Sequence, residues 1–143
     1  AGVLVNGKLI EADNTIIATG ASPLLILGIK PDAENVFTAK EIWQLKRVPG
    51  SVIILGGGVI GVELATIFSE LGVKVTVVEK EKTILPQFRT QAVRLLTKRL
   101  QAKGVELKTN TLVTGYRDGV LETQTGNLTA EILLLALGNK PNN

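Results

Sequence analysis

The 143-residue chain contains no cysteine, no histidine and no methionine. Without cysteine it has no disulfide, no thiolate nucleophile and no Cys-based metal site. Without histidine it lacks the commonest general base and the commonest metal ligand. The missing methionine extends to the first position, which leads us to expect an excised or engineered segment. A thermophilic origin also thins cysteine and methionine, but leaves the first position unexplained. Aromatic residues make up 3% of the chain and the net charge is +3. With lysines and arginines read as scattered, nucleic-acid binding has little support. No apolar run reaches the roughly 20 residues that cross a bilayer. The N-terminus shows no basic stretch followed by an apolar one, as a secretory signal would. The expectation is a cytoplasmic protein with neither a membrane nor a nucleic-acid partner.

What is present reads as one globular domain with a core, 45% hydrophobic and 20% charged. It also carries an internal echo. "IIATGASP" (Ile16 to Pro23) returns as "LLALGNKP" (Leu134 to Pro141) at an offset of 118 residues. Ala12, Asp13, Ala18, Gly20 and Pro23 correspond to Ala130, Glu131, Ala136, Gly138 and Pro141. A "GVL" precedes each copy, at Gly2 to Leu4 and Gly119 to Leu121, one residue off that register. Two copies of one structural ending suggest two copies of one domain type. Only the second has its front half in this chain.

Along the chain, Asn6-Gly7 between two apolar-rich arms predicts a β-hairpin, because Asn-Gly accepts the positive φ of a type I′ turn. "NTIIATG" reads as the strand that follows. "FTAKEIWQL" reads as a helix start, with Thr38 and Glu41 as capping box and Phe37 with Ile42 as staple. Trp43 is read as packing, and Pro49-Gly50 as a boundary. Beyond it the pattern alternates. "SVIIL" is a buried parallel strand. A helix to about Leu71 follows, with Ile60, Leu64, Ile67, Phe68 and Leu71 on one face and Gly72 as its stop. "VKVTVVE" is the next strand. A second helix runs from about Thr90 to Lys103, with Ala92, Val93, Leu96 and Leu100 inward. "VELK" is a strand. Asp118-Gly119 and Thr125-Gly126-Asn127 then punctuate a β-meander, and "EILLLALG" is the last strand. The prediction is an α/β fold: a Rossmann-like doubly wound parallel sheet with the meander as third crossover.

"GGGVIG" places Gly56, Gly58 and Gly61 in the GxGxxG pattern between an apolar strand and a helix. Gly56 turns the chain out of the strand, Gly58 lets a pyrophosphate approach the main chain, and Gly61 lets the helix pack on the strand. The unpaired amides of the first turn, at Val59 and Ile60, hold the anion. The plain alternative is a glycine-rich turn with no ligand. Glu79 ends the second strand, where a carboxylate accepts hydrogen bonds from both adenosine ribose hydroxyls and repels a 2′-phosphate, favouring NAD over NADP, or where it is an ordinary exposed polar residue. Lys80 and Lys82 blur that choice, and with Glu81 also read as a solvated charge run. Glu63 reads equally as facing a nicotinamide or as a solvent-facing residue at the helix start. Gly138 stands where parallel strand ends meet a ligand, or is a simple turn. Arg89, Arg94, Lys98, Arg99 and Lys103 read as a solvated surface.

"TIIATGASP", "VIILGGGVIGVELA", "VKVTVVEK", "ILPQF" and "LLALGNKPN" together resemble, in order, motifs of the FAD-dependent pyridine nucleotide-disulfide oxidoreductases, most of all their dihydrolipoamide dehydrogenase branch. The resemblance implies that Gly56, Gly58 and Gly61 bind the NAD pyrophosphate and Glu79 the ribose. It places Glu63 and Gly138 near the nicotinamide, and Ala18 to Gly20 against FAD. It implies residues 1–25 as a remnant of the FAD-domain meander and last strand, 26–50 as connecting helix and linker, and 51–143 as the NAD-binding domain. The implied partners are NAD(H) and FAD-domain and dimerisation segments outside this sequence. FAD itself is not expected on this chain. Arg89, where the family often has an acid after "LPxF", and Asn139-Lys140, where it often has Arg-x, depart from the pattern.

Three functions stay open on this reading. One is an NAD(H)-binding unit of a flavin-dependent oxidoreductase, inactive alone. The second is a stand-alone module for an adenosine nucleotide, and the third a scaffold without activity. Unpaired strand edges in residues 1–23 lead to the expectation that this segment either docks on its own NAD-binding domain in a new way or mediates self-association.

Overall fold

The computed structural model describes residues 2–142. Strands β1 (Gly2–Val5) and β2 (Lys8–Glu11) form the expected hairpin, with Leu4 opposite Leu9 and Val3 opposite Ile10. Asn6 and Gly7 take φ of 51° and 79° at its turn, as a type I′ turn requires. Every residue of the hairpin is exposed. The strand expected over 14–20 does not form. Only β3 (Ala21–Pro23) is extended and paired there, and Ile16 and Ile17 stay 90% and 84% exposed. High β-propensity without an adjacent strand has nothing to pack on.

The helix expected from Thr38 is also replaced. Val36–Thr38 is a buried strand, β4, followed by a single 3₁₀ turn at Ile42–Gln44. The Thr38–Glu41 partnership is real but changes purpose. The Glu41 carboxylate accepts from the Thr38 amide and hydroxyl, both at 3.0 Å, and Glu41 N–H donates to the Thr38 carbonyl. These bonds close a turn after a strand. Phe37 and Ile42 enter the core, whereas Trp43, expected to pack, is 72% exposed.

From Ser51 the expected alternation appears: β5 (Ser51–Leu55), α1 (Val59–Glu70), β6 (Lys74–Val78), α2 (Thr90–Ala102) and β7 (Glu106–Lys108). The third crossover is the meander β8 (Val113–Arg117), β9 (Val120–Thr123) and β10 (Gly126–Thr129). It leads to β11 (Ile132–Leu135), and the chain closes with β12 (Asn139–Pro141). The central sheet is parallel in the order β4-β11-β5-β6-β7. Its side chains alternate between two apolar layers. Val52, Ile54, Val75, Val77 and Leu134 face the helices, and Ile53, Leu55, Val78, Leu133 and Leu135 face the meander. Ile54 and Leu134, side by side in register, are both fully buried. Burial of each such side chain contributes about 1.5–3 kcal/mol.

The buried stripe of α1 is rotated from the one expected. It runs through Gly61, Val62, Leu64, Ala65 and Phe68, and Ile67 and Leu71 are exposed. Gly61 sets this rotation, because it is the residue pressed on the strand. Ala92 of α2 is likewise exposed, while Val93 and Leu100 are buried. Gly72 ends α1 with φ 76°, the left-handed stop expected of it.

Candidate nucleotide site

The parallel strands all end on one side of the molecule. Chain order reverses there between β5, which leads to β6, and β11 on its other flank, so the crevice lies between the ends of β5 and β11. Gly56 turns out of β5 with φ 112° and donates to the Val78 carbonyl at 2.8 Å. A Cβ on Gly56 would lie 2.5 Å from the Ala136 carbonyl oxygen, and one on Gly61 would lie 1.9 Å from the Gly56 oxygen. Both positions therefore exclude a side chain. At Gly58 a Cβ would meet nothing within 4 Å. That glycine opens onto free space at the helix mouth.

Gly58 is also the N-cap of α1, and no side chain caps the helix. The first bond of the helix runs from Val62 N–H to the Gly58 carbonyl. The amides of Val59, Ile60 and Gly61 come before it and have no intrahelical acceptor. The macrodipole adds positive potential at the same point.

Glu79 stands over this mouth. Its Oε2 accepts the Gly57 amide at 2.6 Å and its Oε1 accepts the Glu81 amide at 2.9 Å. Each oxygen thereby keeps a free lone pair direction for a further donor. The Gly57 carbonyl accepts the Leu85 amide at 2.9 Å, so one residue fixes both the acid and the 81–88 loop. Asn110 and Thr111 amides donate to the carbonyls of Glu81 and Glu79, which ties the far wall to the same strand end.

These groups border a groove of about 510 Å³. Gly56, Gly58, Val59, Ile60, Glu79 and Gly138 all line it. Gly61 lies beneath it, packed on Gly56. Glu63 is exposed on α1 and stands outside the lining. Gly138, at φ 98°, closes the end of the groove beside β11. Sequence reasoning missed Gly57, whose amide orients the acid, although it is the middle residue of the quoted glycine run. It also missed the apolar wall of Leu112, Val113 and Leu137. No local pattern marks those three, since only the return of the meander and β11 brings them to the strand ends. Among the described residues no helix is long and apolar enough to cross a membrane.

The family model for pyridine nucleotide-disulphide oxidoreductase matches residues 2–143. A dihydrolipoyl dehydrogenase of Acholeplasma laidlawii is 35% identical over 98% of this chain and 44% of its own length. One from Geobacillus stearothermophilus is 36% identical over 97% of this chain and 32% of its own. In three dimensions the chain is similar to the crystal structure of LpdA from Mycobacterium tuberculosis, with TM-score 0.79 and 30% identity over 87% of this chain and 28% of that one. The chain thus spans less than half the length of these relatives.

Proposed function

The chain belongs to the pyridine nucleotide-disulphide oxidoreductase family, and on that premise we propose that it is an NAD(H)-binding unit whose task is to present NADH to a flavin. The observation that carries this reading is the pairing of an open, uncapped glycine mouth with Glu79 held over it by Gly57. The amides of Val59 and Ile60 would hold the pyrophosphate. Gly58 would let it approach, and Glu79 would take the ribose hydroxyls. Gly138 would lie against the nicotinamide end, where the family resemblance also puts Glu63. When bound, NADH supplies the hydride. The chain's own part is binding, orientation and electrostatics.

Glu79 disfavours a 2′-phosphate by charge, so NADH is the expected partner over NADPH. The flavin site and redox thiols would lie in further segments, and the chain by itself would bind NADH weakly and turn nothing over. A cytoplasmic location and self-association through residues 1–23 complete the proposal.

Titrating NADH fluorescence with the chain tests it. A saturable change, weakened by Glu79→Ala, is expected; none up to millimolar NADH would sink the nucleotide reading.

A further inference from the structure

Residues 82–105 carry six basic side chains and no acidic one. With the chain at +3, removing those six leaves the remainder at −3. The positive charge is therefore concentrated on the loop before α2 and on α2 itself, rather than scattered. Arg94 and Lys98 are one helical turn apart and border a single groove of about 690 Å³. Pro86, Phe88, Val93 and Leu95 line the same groove, and Phe88 and Leu95 are exposed.

Elsewhere on the helix Lys103 pairs with Glu70. Arg94 and Lys98 have no carboxylate partner among the described residues. Like charges at this spacing repel each other.

We infer that this groove docks a short acidic segment of a partner protein that also carries a bulky apolar side chain. The apolar side chain would sit between Phe88 and Leu95, and flanking carboxylates would pair with Arg94 and Lys98. Complementary charge sets orientation and encounter rate, while the apolar anchor supplies burial. A single-stranded nucleic acid fits less well, because such grooves stack successive bases on several aromatics and Phe88 is the one aromatic in the lining. Pro86 borders both this groove and the glycine-loop groove. A docked segment would therefore lie beside the nucleotide mouth and leave it open.

The test is fluorescence anisotropy of a labelled peptide, Glu-Asp-Glu-Leu-Phe-Glu-Asp-Glu, titrated with the full chain. Saturable binding is expected, with a loss of roughly tenfold or more on combining Arg94→Glu with Lys98→Glu. A similar loss is expected on Leu95→Ser, or on replacing Leu-Phe of the peptide by Ser-Ser. The inference is overturned by absence of saturable binding, by binding that none of these changes weakens, or by a single-stranded oligonucleotide that binds tighter and displaces the peptide. Circular dichroism melts check that the variants fold. Amide shift mapping on the unsubstituted chain gives a second measurement: shifts centred on 88–98 support the site, and shifts centred elsewhere refute it. NADH titration is independent of every arm, so a failure here leaves the nucleotide reading as it stands.

Discussion

The amide of Leu24 donates to the carbonyl of Gly138 at 2.9 Å, and the amide of Asn142 donates to the carbonyl of Gly20 at 3.0 Å. Asn142 and Gly138 are the counterparts of Leu24 and Gly20 at the 118-residue offset. The second bond is thus the first with the two copies exchanged. Between them β3 and β12 pair antiparallel, and the central pair, Ser22 with Lys140, joins equivalent positions. The two endings meet across a local pseudo-twofold axis. Native-state hydrogen exchange should find Leu24 and Asn142 similarly protected and both slower than Ile16 and Ile17, which lie outside any ladder. Equal rates for all four would mean that the pairing is not populated in solution.

Gly61 and Gly58 belong to one motif but should respond differently to a methyl group. Gly61→Ala places a Cβ 1.9 Å from the Gly56 oxygen. Helix and strand must part, at roughly 1–3 kcal/mol or more. Gly58→Ala meets nothing within 4 Å and sits at extended φ and ψ, −73° and −172°, so its urea midpoint should fall only by the modest cost of alanine at an N-cap, less than in Gly61→Ala. The same methyl occupies the mouth where a pyrophosphate would approach, and NADH binding should weaken by about tenfold, a loss of about 1.4 kcal/mol. Unchanged NADH binding in Gly58→Ala would count against a ligand at this mouth.

The βαβ half of the molecule was legible because its signals are local. Short apolar strands, glycine spacing and the left-handed stop at Gly72 each lie within a few residues of what they dictate. The acid at Glu79 was legible for the same reason. The elements that failed depend on distant partners. Val36–Thr38 is a strand because Leu133–Leu135 lies beside it, nearly a hundred residues away, whereas its own neighbours spell a capping box. Ile16 and Ile17 have strand propensity and no adjacent strand. The stripe on α1 followed Gly61, a contact requirement, rather than the richest line of hydrophobic residues. In the candidate site, the groove floor came from a motif, while the wall at Leu112, Val113 and Leu137 came from topology.

Glu79 has two tasks that a substitution can separate. Its Oε2 satisfies the Gly57 amide, and its charge would repel a 2′-phosphate. Glu79→Gln keeps an acceptor for Gly57 and removes the charge. Glu79→Ala removes both and leaves a partly buried donor without its partner, a loss of about 1–3 kcal/mol. Urea denaturation should therefore rank the parent and Gln variant close together and Ala below them. Discrimination between NADH and NADPH, measured as a ratio of dissociation constants, should narrow in both variants. A ratio that does not move assigns selectivity to Lys80 or Lys82 instead.

Asp32 shapes the turn into β4. Its Oδ1 accepts the amides of Glu34, Asn35 and Val36 at 2.8–2.9 Å. Partial burial works to raise its pKa, but those three amides outweigh it and hold the carboxyl below its ordinary value of 3.8. A depressed folded value means that the carboxylate stabilises the fold above the unfolded pKa, and that this contribution fades as pH falls through the folded one. Asp32→Asn keeps an acceptor without the charge. The urea midpoint of the parent should exceed that of the variant at pH 7, and the gap should narrow as pH falls below 3.8 and through the lower folded value. A gap that persists in acid would place the stabilisation in shape rather than charge.

The hairpin at the start of the chain is where the proposed self-association is expected to arise. Leu4 and Leu121 occupy the same place in the two "GVL" segments, yet Leu4 is 70% exposed and Leu121 is 0% exposed. Leu121 lies in the apolar layer under the meander with Leu133 and Leu135. Leu4 and its cross-strand neighbour Leu9 form an equivalent apolar pair with nothing beneath. Exposed apolar strands with free edges recruit other chains. Combining Leu4→Lys with Leu9→Lys adds charge to that face and touches no core residue of the central sheet. Size-exclusion chromatography with light scattering should show the parent chain as concentration-dependent oligomers and the double variant shifted to monomer, with thermal melting of the central domain unchanged. A parent chain that is monomeric at high concentration, or a double variant that still oligomerises, would move the contact away from the hairpin. The exposed faces of Ile67 and Leu71 on α1 would then be the next to substitute.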